Sequence, residues 1–445
     1  MSLGLGCRFW VLGALTSGLV VACSSGSDRA FGDPSQPNQP SGGAAGEPSA
    51  SGGSRTSAGA SGASAAGTSG STNGGSSSLA AGDGGMAGDC AAGECEQEPG
   101  PNPCAPNPCK NEGVCHESGE SFVCECTGGF AGTTCTQQAL EALPLLPGAT
   151  SCDLAALSGS GAVAVGDCNV DSVRTPFWWK PAIGTKALST GFESGATALT
   201  SDGTFVVGYS RSTDGSTSGV SWFNGQQGSG YQGLVYNGQT VSSRPSVVSD
   251  DGMVVAGESE SLNGSPRAVR WVDHGEAVLL GTGHGEIYVK GMSGDGKVIV
   301  GYAYDPDAAI VWTPEGGLAN LPVPEGVEGG VAFGVSRDGR VIVGEAGGQA
   351  VRWVAGAAPQ ELGVMGSARA ASKTGDVIVG RSGGEAMIWD EDHGARLLSD
   401  VLFELGADVM SWTLSEAVAV SADGRVIAGN GSFGGMDRVW LARLP

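Results

Sequence analysis

From residue 139 onward the apolar positions come in short bursts, not in a helical rhythm. One burst reads "VSRDGRVIVG", Val335 to Gly344. The stretches "VSADGRVIAG", Val420 to Gly429, and "MSGDGKVIVG", Met292 to Gly301, nearly repeat it. The phrase recurs seven times with its two glycines five apart: Gly161/Gly166, Gly203/Gly208, Gly252/Gly257, Gly296/Gly301, Gly339/Gly344, Gly375/Gly380 and Gly424/Gly429. Mainly Val, Ile and Ala lie between them. A Trp follows each second glycine by 9 to 14 residues: Trp179, Trp222, Trp271, Trp312, Trp353, Trp389 and Trp440. A period of 36 to 49 residues marks an array, solenoid or propeller.

The unit from 331 to 366 decides among these. "VAFGVS" reads as a strand and "RDG" as a tight turn, because Asp-Gly tolerates the positive φ a hairpin needs. "RVIVG" is apolar without alternation, so it reads as a strand buried on both faces. "QAVRWV" and "PQELGVM" give a third and a fourth. Four short antiparallel strands and no helix make a propeller blade, and seven units predict seven blades. The last unit, ending "DRVWLARLP", supplies only three strands. Ahead of the first unit stands "LEALPLLPG", Leu140 to Gly148, which matches the outer strand of the fourth unit, "LANLPVPEG", Leu318 to Gly326. The N-terminal segment is therefore expected to complete the seventh blade, pairing both ends of the ring and removing an exposed sheet edge. The phrase, followed by "AVRW" at Ala268 and Ala350, resembles the HAF-type extracellular repeats of bacterial surface and secreted proteins. That family implies a propeller but no established activity. The first copy departs, with "SGSG" in place of the Asp-Gly turn, and carries Cys152 and Cys168, placed to bridge neighbouring strands.

Upstream the pattern changes twice. The run "CAPNPCKNEGVCHESGESFVCECTGGFAGTTC" holds Cys104, Cys109, Cys115, Cys124, Cys126 and Cys135. Its spacing, the "CEC" pair and the Gly129–Phe130 turn resemble an EGF-like domain, over 100–136. The spacing alone allows 15 pairings; the resemblance implies 104–115, 109–124 and 126–135. So short a module cannot build an adequate core, and bridges stand in for one. The acidic entry of calcium-binding members is missing, so no calcium is expected here. Cys90 and Cys95 precede the module within a Cys-rich segment, 90–136. They are expected to pair with each other; metal binding by two thiols is the alternative. Residues 23–89 are Gly, Ser and Ala with scattered Pro, too little apolar surface to offset the entropy of folding. They read as a disordered tether spanning about 45 Å on average.

The first 22 residues have signal-peptide proportions: Arg8, then an apolar run from Phe9 to Ala22. The run ends in "VVAC", which resembles the lipobox of bacterial lipoproteins; the resemblance implies a lipid-acylated Cys23. Ser24 in place of Asp resembles the signal for passage to the outer membrane of Gram-negative cells. An ordinary signal peptide or an uncleaved anchor would share the same apolar run.

Composition adds exclusions. The 445 residues carry 46 acidic against 23 basic side chains, a net charge of −23 that repels nucleic acid. The aspartates of the repeated turns read as turn formers. The "SxDG" phrase is similar to the Asp-box of sialidase-type propellers, though only "TSDGTF", Thr200 to Phe205, comes near it. "GRSGG", Gly380 to Gly384, satisfies GxSxG but lies between two strands, where a hydrolase elbow needs a strand followed by a helix. "GTGHG" at Gly281 opens no helix, so it is not a nucleotide loop. His116, His274, His284 and His393 show no ligand spacing, and no metal or cofactor is expected. The repeated Trp residues are expected between blades. Trp412 stands outside the repeat register, after the apolar insertion "SDVLFELGADVMSW", and is the candidate contact patch.

These readings give an exported, lipid-anchored, all-β surface protein: a tether, one EGF-like module and a seven-bladed β-propeller, 139–445, closed by an N-terminal strand. Non-enzymatic binding or adhesion is favoured, with a surface protein or a glycan as partner and the membrane reached through the lipid. The alternatives are an extracellular glycan-active propeller enzyme, or a passive envelope component. Three or more acidic residues with an Arg at the channel mouth would favour the enzyme.

Overall fold

The structure, a computed structural model, describes residues 102–445 apart from 189–192, 283–284, 305 and 356. Cys23, Cys90, Cys95 and His284 lie outside the described residues.

The described repeats form seven antiparallel blades, numbered here in chain order. Five are separate four-stranded sheets. Blades 5 and 6 share one long strand, Gln360–Ala371, whose first half closes blade 5 and whose second half opens blade 6. In blade 5 the inner strand is Val331–Val335, the second Val341–Ala346 and the third Gln349–Val354. No sheet closes on itself; the ring forms by packing blade on blade. Blade 7 takes its inner three strands from Trp412–Val420, Val426–Phe433 and Met436–Arg443, and its outer one from Leu140–Ala142. The register is Trp440 with Ala142, Leu441 with Glu141 and Ala442 with Leu140. Arg443 adds a 2.5 Å ion pair to Glu141.

The recurring phrase has a physical cause at each letter. Its Ser or Thr (Ser158, Thr200, Ser249, Ser293, Ser336, Ser372, Ser421) is buried in every blade. Each hydroxyl accepts the backbone N–H five residues on, across 2.9–3.2 Å. In five blades it also donates to the turn aspartate: Asp202, Asp251, Asp295, Asp338 and Asp423. Those carboxylates are spent inside their turns. The residue after the hydroxyl links blade to blade through the backbone. Gly159 donates to Ser201 O, Asp250 to Gly294 O, Gly294 to Arg337 O, Lys373 to Ala422 O, and Ala422 to Gly159 O.

The second glycine answers to a different constraint. Every inner strand carries a β-bulge opposite it, as at Leu154/Ala156 facing Gly166 and Val289/Gly291 facing Gly301. A Cβ on Gly166 or Gly301 would overlap the carbonyl oxygen of Asp153 or Tyr288. The seven repeat tryptophans are all buried, none more than 7 % exposed. Trp271 and Trp353 donate their indole N–H to Gln232 O and Pro322 O, in the segment joining their own blade to the one before.

The expectation of no helix is corrected at one point. Leu398–Glu404, in the insertion between blades 6 and 7, is a short α-helix, α1. Leu398 and Leu402, four apart, put one face into the core beneath. The small N-terminal module packs against this insertion. Gly129 donates to Leu405 O at 3.0 Å and accepts from Ala139 at 2.8 Å. Its φ of +76° and the closeness of Gly406 O, 2.8 Å from where a Cβ would sit, leave room for glycine alone. Ala131 shares a buried cluster with Leu398, Leu402 and Ala407. Within the module, disulfides join Cys104 to Cys115, Cys109 to Cys124 and Cys126 to Cys135. A fourth joins Cys152 to Cys168, a directly paired position on the inner and second strands of blade 1. Among the described residues no helix is long and apolar enough to cross a membrane.

Candidate binding cleft

A bulge leaves a backbone N–H without its ladder partner. The residues after the second glycines are, in chain order, Asp167, Tyr209, Glu258, Tyr302, Glu345, Arg381 and Asn430, and three of them supply one to the next blade. Asp167 Oδ1 accepts the Ala196 N–H at 2.9 Å, Glu258 Oε1 that of Val289 at 2.8 Å, and Asn430 Oδ1 that of Leu154 at 2.8 Å. Between blades 2 and 3 the residue is Tyr209, and the bulge position facing it is Pro245, which has no N–H.

Four of these side chains, Asp167, Tyr209, Glu258 and Tyr302, line a cleft of about 940 Å³ over blades 1 to 4. Its cations are Arg174, Arg211, Arg244 and Lys290; its carboxylates are Asp153, Asp167, Glu193, Glu258 and Glu260; its aromatic wall is Tyr209, Tyr288 and Tyr302. Below, a narrower space of about 430 Å³ shares Leu154, Ala155 and Lys290 with it. Its walls are mostly Val, Ala and Leu, crossed by a 2.5 Å Arg369–Glu416 pair.

Burial pushes the Asp167 carboxyl up to about 6, against the opposing pull of the Ala196 N–H, Arg174 and Arg244. Burial likewise raises Glu258, whose second oxygen accepts the Ser246 hydroxyl at 2.8 Å. Arg174 reaches Asp167 Oδ2 and the Tyr209 hydroxyl, both at 3.3 Å, and Arg211 reaches Glu193 at 3.6 Å. The Arg244 guanidinium stands over Tyr209, 4.3 Å from the ring centre, and the Lys290 ammonium stands 5.5 Å from the centre of Tyr302. Tyr288 stacks on Tyr302 at 4.9 Å, and Tyr304 meets both edge-on. The carboxylates at 167 and 258 do for their neighbours what the neutral amide of Asn430 does for blade 1. Their common task is to accept a bulge N–H, and it requires no charge.

Other singled-out residues lie apart from the cleft. Trp412 begins the inner strand of blade 7 and packs on Phe433, ring centres 4.8 Å apart. Met410 and Met436 are exposed nearby. His116 pairs with Glu125 and His393 with Asp390, both at the surface, and exposed His274 stacks on Tyr231 at 5.5 Å. The GxSxG stretch runs from the strand Val377–Ser382 through a turn into Glu385–Asp390, with no helix after it. Among the described residues no three His, Cys, Asp or Glu are grouped to hold a metal ion. The sequence reading does not single out the cleft residues, although four of them, Asp167, Tyr209, Glu258 and Tyr302, carry the same address, the place after the second glycine.

Several solved structures are similar in overall trace. An oligogalacturonate lyase from Vibrio parahaemolyticus is 12 % identical, with 70 % of this chain and 95 % of that one covered, at a TM-score of 0.47. The Cps50 (Swd1) β-propeller domain of Myceliophthora thermophila is 11 % identical over 67 % and 98 %, at 0.43. At these scores the likeness carries no argument beyond the strand order already described. Zonadhesin of Oryctolagus cuniculus is 44 % identical over 46 residues, which are 10 % of this chain and 2 % of that protein. The chain thus spans a small fraction of that relative. Residues 104–134 match the model of the EGF-like domain, and three disulfides within 104–135 staple that module.

Proposed function

We propose that this chain is a non-enzymatic binding protein of the cell surface, and that it holds its ligand in the cleft over blades 1 to 4. One observation carries the reading: the large concave opening is walled by tyrosines and cations, while its two most buried carboxylates are committed to backbone N–H groups. Disulfide-stapled modules belong to exported proteins. Within this reading the chain is lipid-anchored at Cys23 in an outer membrane, and the EGF-like module, docked on blades 6 and 7, acts as a fixed part of the head.

The test applies the full chain to glycan and surface-protein arrays, beside Tyr302→Ala and Trp412→Ala. Saturable binding lost in Tyr302→Ala and kept in Trp412→Ala supports the cleft. The reverse moves the site to blade 7, and the absence of saturable binding sinks the binding reading. A second reading, a glycan-active enzyme, draws on the cleft's acidic residues beside arginines, with Asp167 raised to about 6, a range useful to a general acid. Release of new reducing or unsaturated ends from polysaccharides, abolished in Asp167→Asn, would favour it.

A further inference from the structure

We infer that the cleft takes an anionic glycan, and that Arg244 and Lys290 hold its acidic group, carboxylate or sulfate. The inference rests on the binding reading above and deepens it. In a chain with twice as many acidic as basic residues, this opening is richer in cations than the whole, with four beside its five carboxylates. Two of them are accounted for, Arg174 by Asp167 and Arg211 by Glu193. Arg244 and Lys290 make no ion pair within 4 Å among the described residues, and their aromatic contacts are with Tyr209 and Tyr302.

The two cations come from the inner strands of adjacent blades and act on one another. Burial lowers the Lys290 pKa; Glu258 opposes this, while Arg244 and Arg369 push in the same direction as burial. Glu258 itself is held by Val289 N–H and Ser246 and does not close on the ammonium. Two like charges set side by side are relieved by one anion between them. The stacked pair Tyr288 and Tyr302, with Tyr304 edge-on and partly exposed, offers flat faces for the C–H side of a sugar ring. A ring with an acidic substituent meets both requirements. A nucleic acid is disfavoured by the net charge of −23.

The experiment is calorimetric titration of the full chain with three sets of oligosaccharides: uronate-bearing, sulfated, and neutral ones of equal length. Arg244→Gln, Lys290→Gln and Arg244→Lys are measured beside the parent, with circular dichroism as the folding control. Both side chains are exposed within the cleft and neither packs in a core cluster, so the glutamine variants fold. The expected result is binding of an acidic set and no neutral set. It weakens at least tenfold in each glutamine variant, is largely kept in Arg244→Lys, and weakens as salt is raised. The uronate and sulfate arms identify which group is held. Neutral sugars bound as tightly as acidic ones, or acidic binding unchanged in the glutamine variants, overturns the inference and leaves the cleft reading standing. No binding by any set, with a protein ligand found on the arrays that competes at the cleft, overturns the glycan while keeping the cleft. No binding of any kind removes both.

Discussion

Asp167 offers a quantitative test of the blade-to-blade contacts. Its carboxyl is held near 6 by burial, against 3.8 for an ordinary aspartate, a shift of about two units. At 1.36 kcal/mol per unit, the ionised form costs the fold about 3 kcal/mol. The sign follows from proton counting. Between pH 4 and 6 the folded chain binds a proton at this site that the unfolded chain has already released. Stability therefore falls as pH rises through that window, and the cost is complete above it. Asn at 167 keeps an oxygen for the Ala196 N–H, as Asn430 does for Leu154, and carries no charge. The shift is already net of the pull of the half-exposed Arg174, so the loss of that ionic partner is not subtracted a second time. Asp167→Asn is thus expected to be more stable than the parent by about 3 kcal/mol at pH 7.5, and to lose the advantage at pH 4. Urea unfolding at the two pH values reads this directly, since other groups titrate alike in both proteins. A variant that is less stable at pH 7.5, or whose difference from the parent does not change with pH, would refute the account of the contact.

Other outcomes can be stated briefly. Ser336→Ala removes a buried hydroxyl that donates to Asp338 and accepts from Val341, and should lower urea-unfolding stability by about 1–3 kcal/mol. Gly301→Ala forces a Cβ onto the Tyr288 carbonyl and should cost more than about 4 kcal/mol, read as loss of soluble expression. Leu402→Ala opens a cavity under α1 and should cost about 2–5 kcal/mol, with faster proteolytic release of the EGF-like module. A chain begun at residue 149 lacks Leu140–Ala142, which bares the edge of Met436–Arg443; light scattering should show self-association.

The glycine spacing was enough to count blades because both glycines answer to hard sterics, a tight turn and a bulge carbonyl. The Leu-x-x-Leu-Pro match was enough to place Leu140–Ala142, because an outer strand must carry the same pattern whichever end of the chain supplies it. The cleft was not legible in the same way. Asp167, Tyr209, Glu258 and Tyr302 differ in chemistry, and their common position acquires meaning only once the bulge shows an N–H pointing at the preceding blade. The helix α1 was readable in principle, since Leu398 and Leu402 are four apart, but a seven-residue stretch gives too short a period to outweigh its strand-rich surroundings. That the EGF-like module rests on this insertion depends on a contact between Gly129 and Leu405, far apart in sequence and undistinguished in type.

The pairing of Tyr209 with Pro245 has a consequence for how such a ring can evolve. Repeats this similar invite unequal recombination, which deletes or duplicates whole units. Here two successive junctions are written on both sides. Tyr209 meets a proline that has no N–H, and Val289 meets a glutamate that accepts its own. Excising blade 3 would set Tyr209 against the N–H of Val289, leaving a buried donor unmet at about 1–3 kcal/mol. The blades look interchangeable, but the two seams around blade 3 are keyed, and together they hold that blade to its place in the ring.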